Sequence, residues 1–310
     1  MPVKLHFLNV GDGDCTIIDF PTRTQGENNL DSRIMVVDFK HNVDHDEYEN
    51  LINYYKNNFT ENGLIKPIFR FIATHPHKDH LTGIKELFEN SGVEILNFWD
   101  LDHKFKPIQY GENWESYKND WEKYCNLRNE SFVRRYWDDQ NEKISFWDED
   151  RITILSPSKE LFEYAHKNEN GSDRSPEEIL IHSMPYVLLI NINDIKILLA
   201  SDSDDKCWEY ILKNHGNKIG NIDILKAPHH GKKSGFIERI LETMCPKNII
   251  FSISQDSYQA EGAEKDYARK CPDANIHSTS EKGNIIFECT YNQPQQINLL
   301  SNGTKNIFQI

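Results

Sequence analysis

The sequence predicts an α/β protein in which two strand-rich parts, flanked by helices, form a two-sheet sandwich. Runs of aliphatic and β-branched residues occur near the start of the chain and again in its second half, and segments with helical periodicity lie between them. We find no internal repeat. With 310 residues and 38% apolar content, the chain can bury one large core or two ordinary ones.

The predicted elements follow one another in a regular order. Strands are expected at 4–10, 15–20, 34–39, 67–74, 151–155, 186–190, 195–200, 248–253 and 284–289. Helices are expected at 45–59, 205–215 and 235–244, with a short helix after Gly83 that carries Ile84, Leu87 and Phe88 on one face. The turn Gly11-Asp12-Gly13-Asp14 joins the first two strands, which predicts antiparallel strands at the N-terminus.

Residues 97–143 differ in composition from the rest of the chain. They are rich in tyrosine and charged residues and contain Trp99, Trp114, Trp121 and Trp137. We predict a helical insertion within a single domain that spans residues 1–310. Large aromatic side chains are more often buried than used for binding, so a cover packed on the core is favoured over a surface that stacks on substrate.

Composition restricts the cell compartment and the class of substrate. No run of about 18 apolar residues occurs, and the first residues are too polar for a signal peptide, so we expect a cytoplasmic protein outside the membrane. The six cysteines lack C-x-x-C spacing and are expected to be reduced thiols. A formal net charge of −14 disfavours extended nonspecific binding to nucleic acid. Bound cations would offset part of this charge, so phosphate-containing substrates stay open.

Four candidate metal ligands lie within six residues, directly after the strand expected at 67–74. They are His75, His77, Asp79 and His80. Neutral imidazole and carboxylate oxygen both suit zinc and manganese ions. A turn at a strand end can direct the first two side chains at one metal and the last two at another. A histidine-rich surface loop is the alternative, disfavoured because further candidate ligands follow downstream.

The segment Thr74-His75-Pro76-His77-Lys78-Asp79-His80-Leu81-Thr82-Gly83 resembles the H-x-H-x-D-H motif of the metallo-β-lactamase superfamily. Leu198-Leu199-Ala200-Ser201-Asp202 resembles the strand whose terminal aspartate bridges two metals, and Lys226-Ala227-Pro228-His229-His230-Gly231 resembles the motif with the last histidine ligand. The resemblance covers most of the chain except about 97–143. It implies an αββα sandwich of two mixed β-sheets flanked by helices, with two divalent metal ions, zinc favoured and manganese as the alternative.

The same resemblance suggests roles for individual residues. Asp202 would bridge both metals, and one of His229 and His230 would bind metal while the other contacts substrate; the sequence leaves open which. His182, twenty residues before Asp202, lies where the superfamily usually has a third histidine and is assigned to the first metal. A histidine bonded to backbone is the alternative. Asp38 resembles the strand-end aspartate that orients a ligand histidine, with an ordinary turn aspartate as the alternative.

A finer resemblance concerns the branch within the superfamily. The opening Leu8-Asn9-Val10-Gly11-Asp12-Gly13-Asp14, together with the His-His-Gly turn, is similar to the hydrolase domain of the bacterial competence DNA-uptake protein. The segment Ser254-Gln255-Asp256-Ser257-Tyr258-Gln259-Ala260 departs from the Asn-x-Tyr-x-His-Pro element of that branch. The substrate of that branch is therefore not carried over directly.

These assignments predict a hydrolase that uses metal-activated water. Two divalent cations about 3.5–4 Å apart lower the pKa of a bound water and polarise the oxygen of the bond to be cleaved. Asp79 and Asp202 are the expected catalytic residues, the first by holding the water or accepting its proton. Lys232, Lys233 and Ser234 are placed to meet an anionic substrate group, but for the two lysines a solvated loop is favoured, because charge runs usually face solvent.

Three function classes follow from this reading. A phosphodiesterase or nuclease that acts on a small anionic or nucleic-acid substrate is favoured. A lactone, ester or amide hydrolase with the same metal pair is the second class. A non-enzymatic interaction module with a protein partner is the third, disfavoured because the ligand residues are intact.

Overall fold

The computed structural model describes residues 2–21, 32–41, 47–141, 150–192, 194–289, 296–301 and 304–309. It divides into two compact units. Unit 1 comprises Met1–Asp100, Pro107–Arg135 and Gly283–Ile310, and unit 2 comprises Leu101–Lys106 and Tyr136–Lys282. Each unit contains one large mixed β-sheet with helices, as the sequence predicts. That residues 1–310 form a single domain stays a prediction.

The described part of the chain contains the following elements in chain order. The strands are β1 (Val3–Phe7), β2 (Thr16–Pro21), β3 (Ser32–Val37), β4 (Thr60–Glu61), β5 (Leu64–Ile65), β6 (Ile68–Ile72), β7 (Phe98–Trp99), β8 (Val133–Arg134), β9 (Ile152–Ser156), β10 (Val187–Ile192), β11 (Ile195–Leu199), β12 (Ile224–Lys226), β13 (Asn248–Phe251), β14 (Asn275–Ser278), β15 (Ile285–Cys289), β16 (Gln296–Ser301) and β17 (Thr304–Gln309). The α-helices are α1 (Leu51–Asn58), α2 (Lys78–Leu81), α3 (Ile84–Glu89), α4 (Glu112–Glu115), α5 (Lys118–Leu127), α6 (Lys159–His166), α7 (Asp205–His215), α8 (Glu238–Met244), α9 (Gln255–Glu261), α10 (Glu264–Lys270) and α11 (Thr279–Lys282). Short 3-10 segments cover Asp138–Gln140, Pro176–Glu178, Ile181–Ser183, Pro228–Gly231 and Lys233–Gly235.

The sheet of unit 1 has the strand order β17-β16-β15-β1-β2-β3-β6-β7-β8 over the described residues. Its first part is antiparallel, and β1 pairs with β15 in a register that sets Val3 opposite Cys289. From β3 to β8 the strands are parallel. The carboxyl ends of parallel strands meet at one edge of a sheet, so the residues that follow β3, β6 and β7 are neighbours there. Asp38, His75 and Asp100 are among them.

The sheet of unit 2 has the order β14-β13-β12-β11-β10-β9, and its strands from β11 to β14 are parallel. Strands β12 and β13 are buried along their whole length, and their residues are apolar except for Lys226 at the end of β12 and Asn248 at the start of β13. The turns after β11 and β12 lie at the same edge. They carry Asp202 and the pair His229 and His230.

The segment 97–143 contains α4 and α5, in line with its predicted helical content, and residues 142–143 lie outside the described part. The short strands β7 and β8 near its two ends were not expected and extend the edge of the unit 1 sheet. Trp121 and Tyr124 of α5 are buried, so these aromatic residues pack inside the protein. That the segment is an insertion which shapes substrate access stays a prediction.

A buried carboxylate holds this segment to the sheet. Asp100 is fully buried after β7 and accepts hydrogen bonds from Arg128 Nε at 2.8 Å and Arg135 Nη2 at 3.1 Å. The Tyr124 hydroxyl donates a third hydrogen bond to Asp100. One side chain thus joins α5 and the end of β8 to the end of β7.

Several elements differ from the sequence prediction. Helix α1 begins at Leu51, because the Asn50 side chain accepts a hydrogen bond from Asn53 N at 3.0 Å and caps the helix there. Part of the helix predicted over 45–59 lies outside the described residues. Strands β12 and β14 and helices α6, α9 and α10 were not predicted. No helix among the described residues is both long and apolar enough to cross a membrane.

We predict that Asp100→Ala lowers the free energy of unfolding by about 3–5 kcal/mol, because it leaves two arginine side chains beside a vacated buried site. Urea denaturation measures this change. Asp102→Ala is the control, since Asp102 is exposed and its loss should cost within about 0.5 kcal/mol. Equal stability of the two variants would show that Asp100 does not anchor the segment.

Candidate metal centre

The H-x-H-x-D-H loop of unit 1 is fixed by one buried carboxylate, Asp38. Its Oδ1 accepts a hydrogen bond from Thr74 N at 2.7 Å, and its Oδ2 accepts from Thr74 Oγ1 at 2.7 Å. His80 Nδ1 lies 2.7 Å from the same Oδ2. A carboxylate accepts hydrogen bonds, so the His80 proton lies on Nδ1 and the lone pair lies on Nε2.

A second histidine is oriented through the threonine. His75 Nδ1 lies 3.2 Å from Thr74 Oγ1, whose own proton is donated to Asp38. The hydroxyl oxygen therefore accepts from His75 Nδ1, and the lone pair of His75 lies on Nε2. Asp38 thus sets the tautomers of His75 and His80 together. The sequence analysis assigned no role to Thr74, because one threonine before a histidine carries no signal of its own.

The candidate ligands of the loop lie in two pairs. His75 Nε2 is 3.2 Å from His77 Nδ1, and His80 Nε2 is 4.0 Å from Asp79 Oδ2. The rings of His75 and His80 are also close, with centroids 4.1 Å apart. That each pair serves a separate metal stays a prediction. His75 and His80 are fully buried, whereas the Asp79 side chain is 37% exposed and can reach substrate or water.

Asp14 is a candidate ligand that the sequence analysis did not identify. It is buried, and one of its carboxylate oxygens lies within 4.8 Å of a ring nitrogen of His80. Asp14 N donates to Asp79 O at 3.2 Å, and a Cβ at Gly13 would lie 2.5 Å from the same oxygen. Glycine there allows the first turn to approach the ligand loop. Burial is the largest cause that raises the pKa of Asp38; Asp14 raises it too, and His80 lowers it.

In unit 2, three histidines surround one carboxylate oxygen. Asp202 Oδ2 lies 3.4 Å from His230 Nε2, 3.7 Å from His229 Nε2 and 4.0 Å from His182 Nε2. Asp202 follows Ser201, which has a positive φ of 50°. The backbone carbonyl of Ser201 accepts from His229 N at 3.0 Å, so the two ligand turns are joined directly.

Hydrogen bonds to the start of α7 hold His182 beside this group. Its backbone carbonyl accepts from Asp204 N at 3.0 Å, and the neighbouring Ser183 hydroxyl donates to the Asp204 carboxylate. Asp204 also caps α7 by accepting from Cys207 N at 2.9 Å. The 3-10 turn that contains His182 is therefore held beside the Asp202 turn. The sequence left His182 open between a ligand and a backbone-bonded histidine, and its imidazole lies with the candidate ligands.

The turn with His229 and His230 has an unusual backbone. Both residues have positive φ, 48° and 62°, which is uncommon for residues with a side chain and costs of order 1 kcal/mol or more each. Gly231 follows with φ +86°, and a Cβ at this position would lie 2.4 Å from the Phe251 ring. The chain therefore maintains a strained turn that presents both imidazoles, and such strain is concentrated at functional sites.

The two histidines of this turn differ in their surroundings. The His230 side chain is 1% exposed and that of His229 is 30% exposed. His229 Nδ1 lies 3.0 Å from the hydroxyl of the exposed Ser234, so Ser234 contacts a candidate ligand rather than only solvent. Lys232 lies 3.4 Å from Glu261 in an ion pair. Its assignment to substrate, like that of Ser234, stays a prediction.

The donor atoms fit divalent transition metals. In unit 1 they are imidazole nitrogens of His75, His77 and His80 and carboxylate oxygens of Asp14 and Asp79; in unit 2 they are imidazole nitrogens of His182, His229 and His230 and a carboxylate oxygen of Asp202. Mixed nitrogen and oxygen donors suit zinc and manganese, and none of these donors is a thiolate. Burial is the largest cause that raises the pKa of Cys15 well above its usual value, so the cysteine beside Asp14 stays a thiol.

Comparison with solved structures identifies the fold. A metallo hydrolase, Igni18, from the hyperthermophilic archaeon Ignicoccus hospitalis KIN4/I is similar with a TM-score of 0.50 and 11% identity, over 92% of this chain and 99% of that chain. The chain has the metallo-β-lactamase fold. This confirms the predicted α/β class with two mixed sheets flanked by helices.

Two further solved structures are similar at lower scores. An E377D mutant of CmlA beta-hydroxylase has a TM-score of 0.49 and 11% identity, over 92% of this chain and 54% of that chain. A long-form RNase Z from yeast has a TM-score of 0.37 and 13% identity, over 82% and 37%. The sequence matches no protein-family model and no curated protein.

We predict that Asp38→Asn weakens zinc binding about 10- to 100-fold, because the amide would donate to His80 Nδ1 and move the ring proton to Nε2. Competition between the metal-free protein and a chelator for zinc measures the dissociation constant of the zinc complex. Asp223→Asn is the matched control, since Asp223 is also buried and accepts hydrogen bonds, from Lys196 N at 2.8 Å, but contacts none of the ligands. Unchanged affinity in Asp38→Asn would exclude the orienting role.

Proposed function

We propose that this protein is a metal-dependent hydrolase with a dinuclear centre and that it cleaves phosphodiesters in a nucleotide or nucleic acid. The observation that carries the proposal is the environment of Asp202, one of whose oxygens lies 3.4–4.0 Å from Nε2 of three histidines. These separations are longer than hydrogen bonds, and imidazole nitrogen and carboxylate oxygen are donors that zinc takes in proteins.

The superfamily resemblance implies that the H-x-H-x-D-H loop and the residues around Asp202 serve the same pair of metal ions. We assign His75, His77 and His182 to the first metal, Asp79 and His80 to the second, and Asp202 to both. Asp14 is a further candidate for the second metal. His230 is preferred over His229 as a ligand, because its imidazole is buried beside Asp202.

The chain supplies orientation, charge and proton transfer around the reacting atoms. When bound, two divalent cations activate a water and polarise the oxygen of the bond that is cleaved. Asp79, whose side chain is partly exposed, can hold this water and accept its proton. His229 is also partly exposed, and its Nδ1 is fixed by Ser234, so its Nε2 is suited to contact substrate.

The choice of a phosphodiester rests on the resemblance to the competence-protein branch and on local charge. Lys233 is exposed in the turn after the His-His-Gly motif, and two divalent cations would add about four positive charges. The net charge of −14 favours a small or single-stranded substrate over long duplex DNA. A lactone, ester or amide hydrolase uses the same metal pair and is the second candidate.

We predict that metal-free protein takes up two zinc or manganese ions per chain. Elemental analysis after reconstitution and removal of excess metal measures the stoichiometry. A value that stays near zero would contradict the proposed enzyme and favour an interaction module. Binding of one metal would support a mononuclear site and exclude a bridging role for Asp202.

We predict that Asp202→Ala lowers metal content and turnover together, with turnover reduced by at least about 10²-fold, because two divalent charges lose a shared anionic ligand. His182→Ala is the comparison and should remove one metal and retain partial activity. Circular dichroism of the metal-free forms checks that both variants fold. Full metal content and near-native turnover in Asp202→Ala would refute the dinuclear assignment.

The substrate class is tested with a panel that contains single-stranded DNA, RNA, cyclic nucleotides, lactones and ester reporters. Each substrate is incubated with protein reconstituted with zinc or manganese, and Asp202→Ala serves as the blank for contaminating activity. Cleavage of phosphodiesters alone supports the proposal. Cleavage of only lactones or esters would contradict it and support a lactone, ester or amide hydrolase.

A further inference from the structure

The start of α5 is bonded to the metal-ligand loop of unit 1 at two places and to the helix that follows the loop at a third. Tyr117 Oη donates to the carbonyl of Pro76 at 3.3 Å, and Lys78 Nζ donates to Ser116 Oγ at 2.7 Å. The third contact joins Asp120 to the start of α3, the helix that follows the loop. The segment 97–143 therefore contacts the backbone and a side chain within the sequence from His75 to His80.

The contact from Tyr117 lies at the centre of the loop. Pro76 separates His75 from His77, so the position of its carbonyl affects the backbone on both sides of the two ligands. Tyr117 is 3% exposed. Burial is the largest cause that raises its pKa well above the usual value, with Asp120 and Asp79 adding to the effect, so the hydroxyl stays protonated and can donate.

Asp120 fixes the start of α3, which follows the loop in sequence. Its Oδ2 accepts from Gly83 N at 2.9 Å and its Oδ1 accepts from Lys85 N at 3.0 Å. These amides lie at the start of α3, where the helix has no backbone acceptors for them. Lys123 adds an ion pair to Glu89 of α3 at 3.2 Å. Helix α5 thus holds both the ligand loop and the helix that follows it.

A second tyrosine on α5 provides an internal comparison. Tyr124 is also buried, at 1% exposure, and its hydroxyl also donates a hydrogen bond. Its acceptor is the Asp100 carboxylate, not the ligand loop. Removal of either hydroxyl leaves a buried acceptor without one donor. Because the Tyr124 acceptor is a carboxylate and hydrogen bonds to charged groups are stronger, Tyr124→Phe should cost at least as much stability as Tyr117→Phe, about 1–3 kcal/mol.

We propose that Tyr117 and Asp120 are positioning residues for the metal ligands, so that α5 acts as a rigid brace for the H-x-H-x-D-H loop. The inference extends the proposed function, since it assigns residues that set metal affinity without touching metal. It gives the aromatic segment a role besides covering the core. It also separates stability from ligand geometry, because Tyr124 makes a hydrogen bond to a buried carboxylate but does not contact the ligand loop.

The first test compares Tyr117→Phe with Tyr124→Phe. Tyr117→Phe should weaken zinc binding about tenfold, since partners that orient metal ligands change affinity by roughly this amount. Tyr124→Phe should change it less than twofold. Competition between metal-free protein and a chelator for zinc gives both dissociation constants, and urea denaturation checks that Tyr117→Phe loses no more stability than Tyr124→Phe.

The second test does not depend on metal. Hydrogen exchange of the metal-free protein is followed in a peptide that covers residues 74–83, where Thr82 N bonds to Lys78 O. Exchange in this peptide should be at least threefold faster in Tyr117→Phe and unchanged in Tyr124→Phe. Equal exchange in wild type and Tyr117→Phe, or an equal increase in both variants, overturns the inference. If wild type binds no zinc but the exchange difference is found, the proposed function fails and the positioning role stands.

Discussion

The architecture of the metal-ligand loop depends on the burial of one carboxylate, Asp38. An unpaired charge in this position would cost several kcal/mol, so three donors must approach it: the Thr74 amide, the Thr74 hydroxyl and the His80 ring. Backbone bonds complete the arrangement, with Asp38 N donating to Ile72 O at 2.9 Å and Phe39 N donating to His80 O at 2.8 Å. Asp38 thus joins the ends of the parallel strands β3 and β6, and the same carboxylate sets the tautomers of His75 and His80.

In both sheets, the turns that follow strands carry the residues that supply or orient the candidate metal ligands. In unit 1, parallel strands end at residues that orient or supply imidazoles. In unit 2, β11 and β12 end in turns whose residues have positive φ, at Ser201, His229 and His230. Apolar strands buried on both faces are rigid supports, so they fix the positions of the turns that follow them. Each unit can therefore hold polar side chains in a defined geometry at the end of an apolar strand.

The sequence predicted the strands and the candidate ligands where the local pattern was strong. The H-x-H-x-D-H loop follows an apolar strand in both sequence and structure, and the two-sheet class is the one observed. Asp14, Thr74 and Tyr117 were not identified, because their roles depend on contacts with residues far along the chain. Tyr117 lies 41 positions from Pro76, and no periodicity encodes such a contact. Strands β7 and β8 have two residues each, too few for alternation to show.

The pairing of β1 with β15 determines when the unit 1 sheet can be completed during synthesis. Val3 pairs with Cys289, so the whole sequence of unit 2 is translated between these partners. At about 5–20 residues per second, the ribosome produces β15 some tens of seconds after β1. Until then β1 has one edge without its native partner, and such edges recruit other chains. The nascent chain must therefore complete the unit 2 sequence before its first strand is protected on both sides.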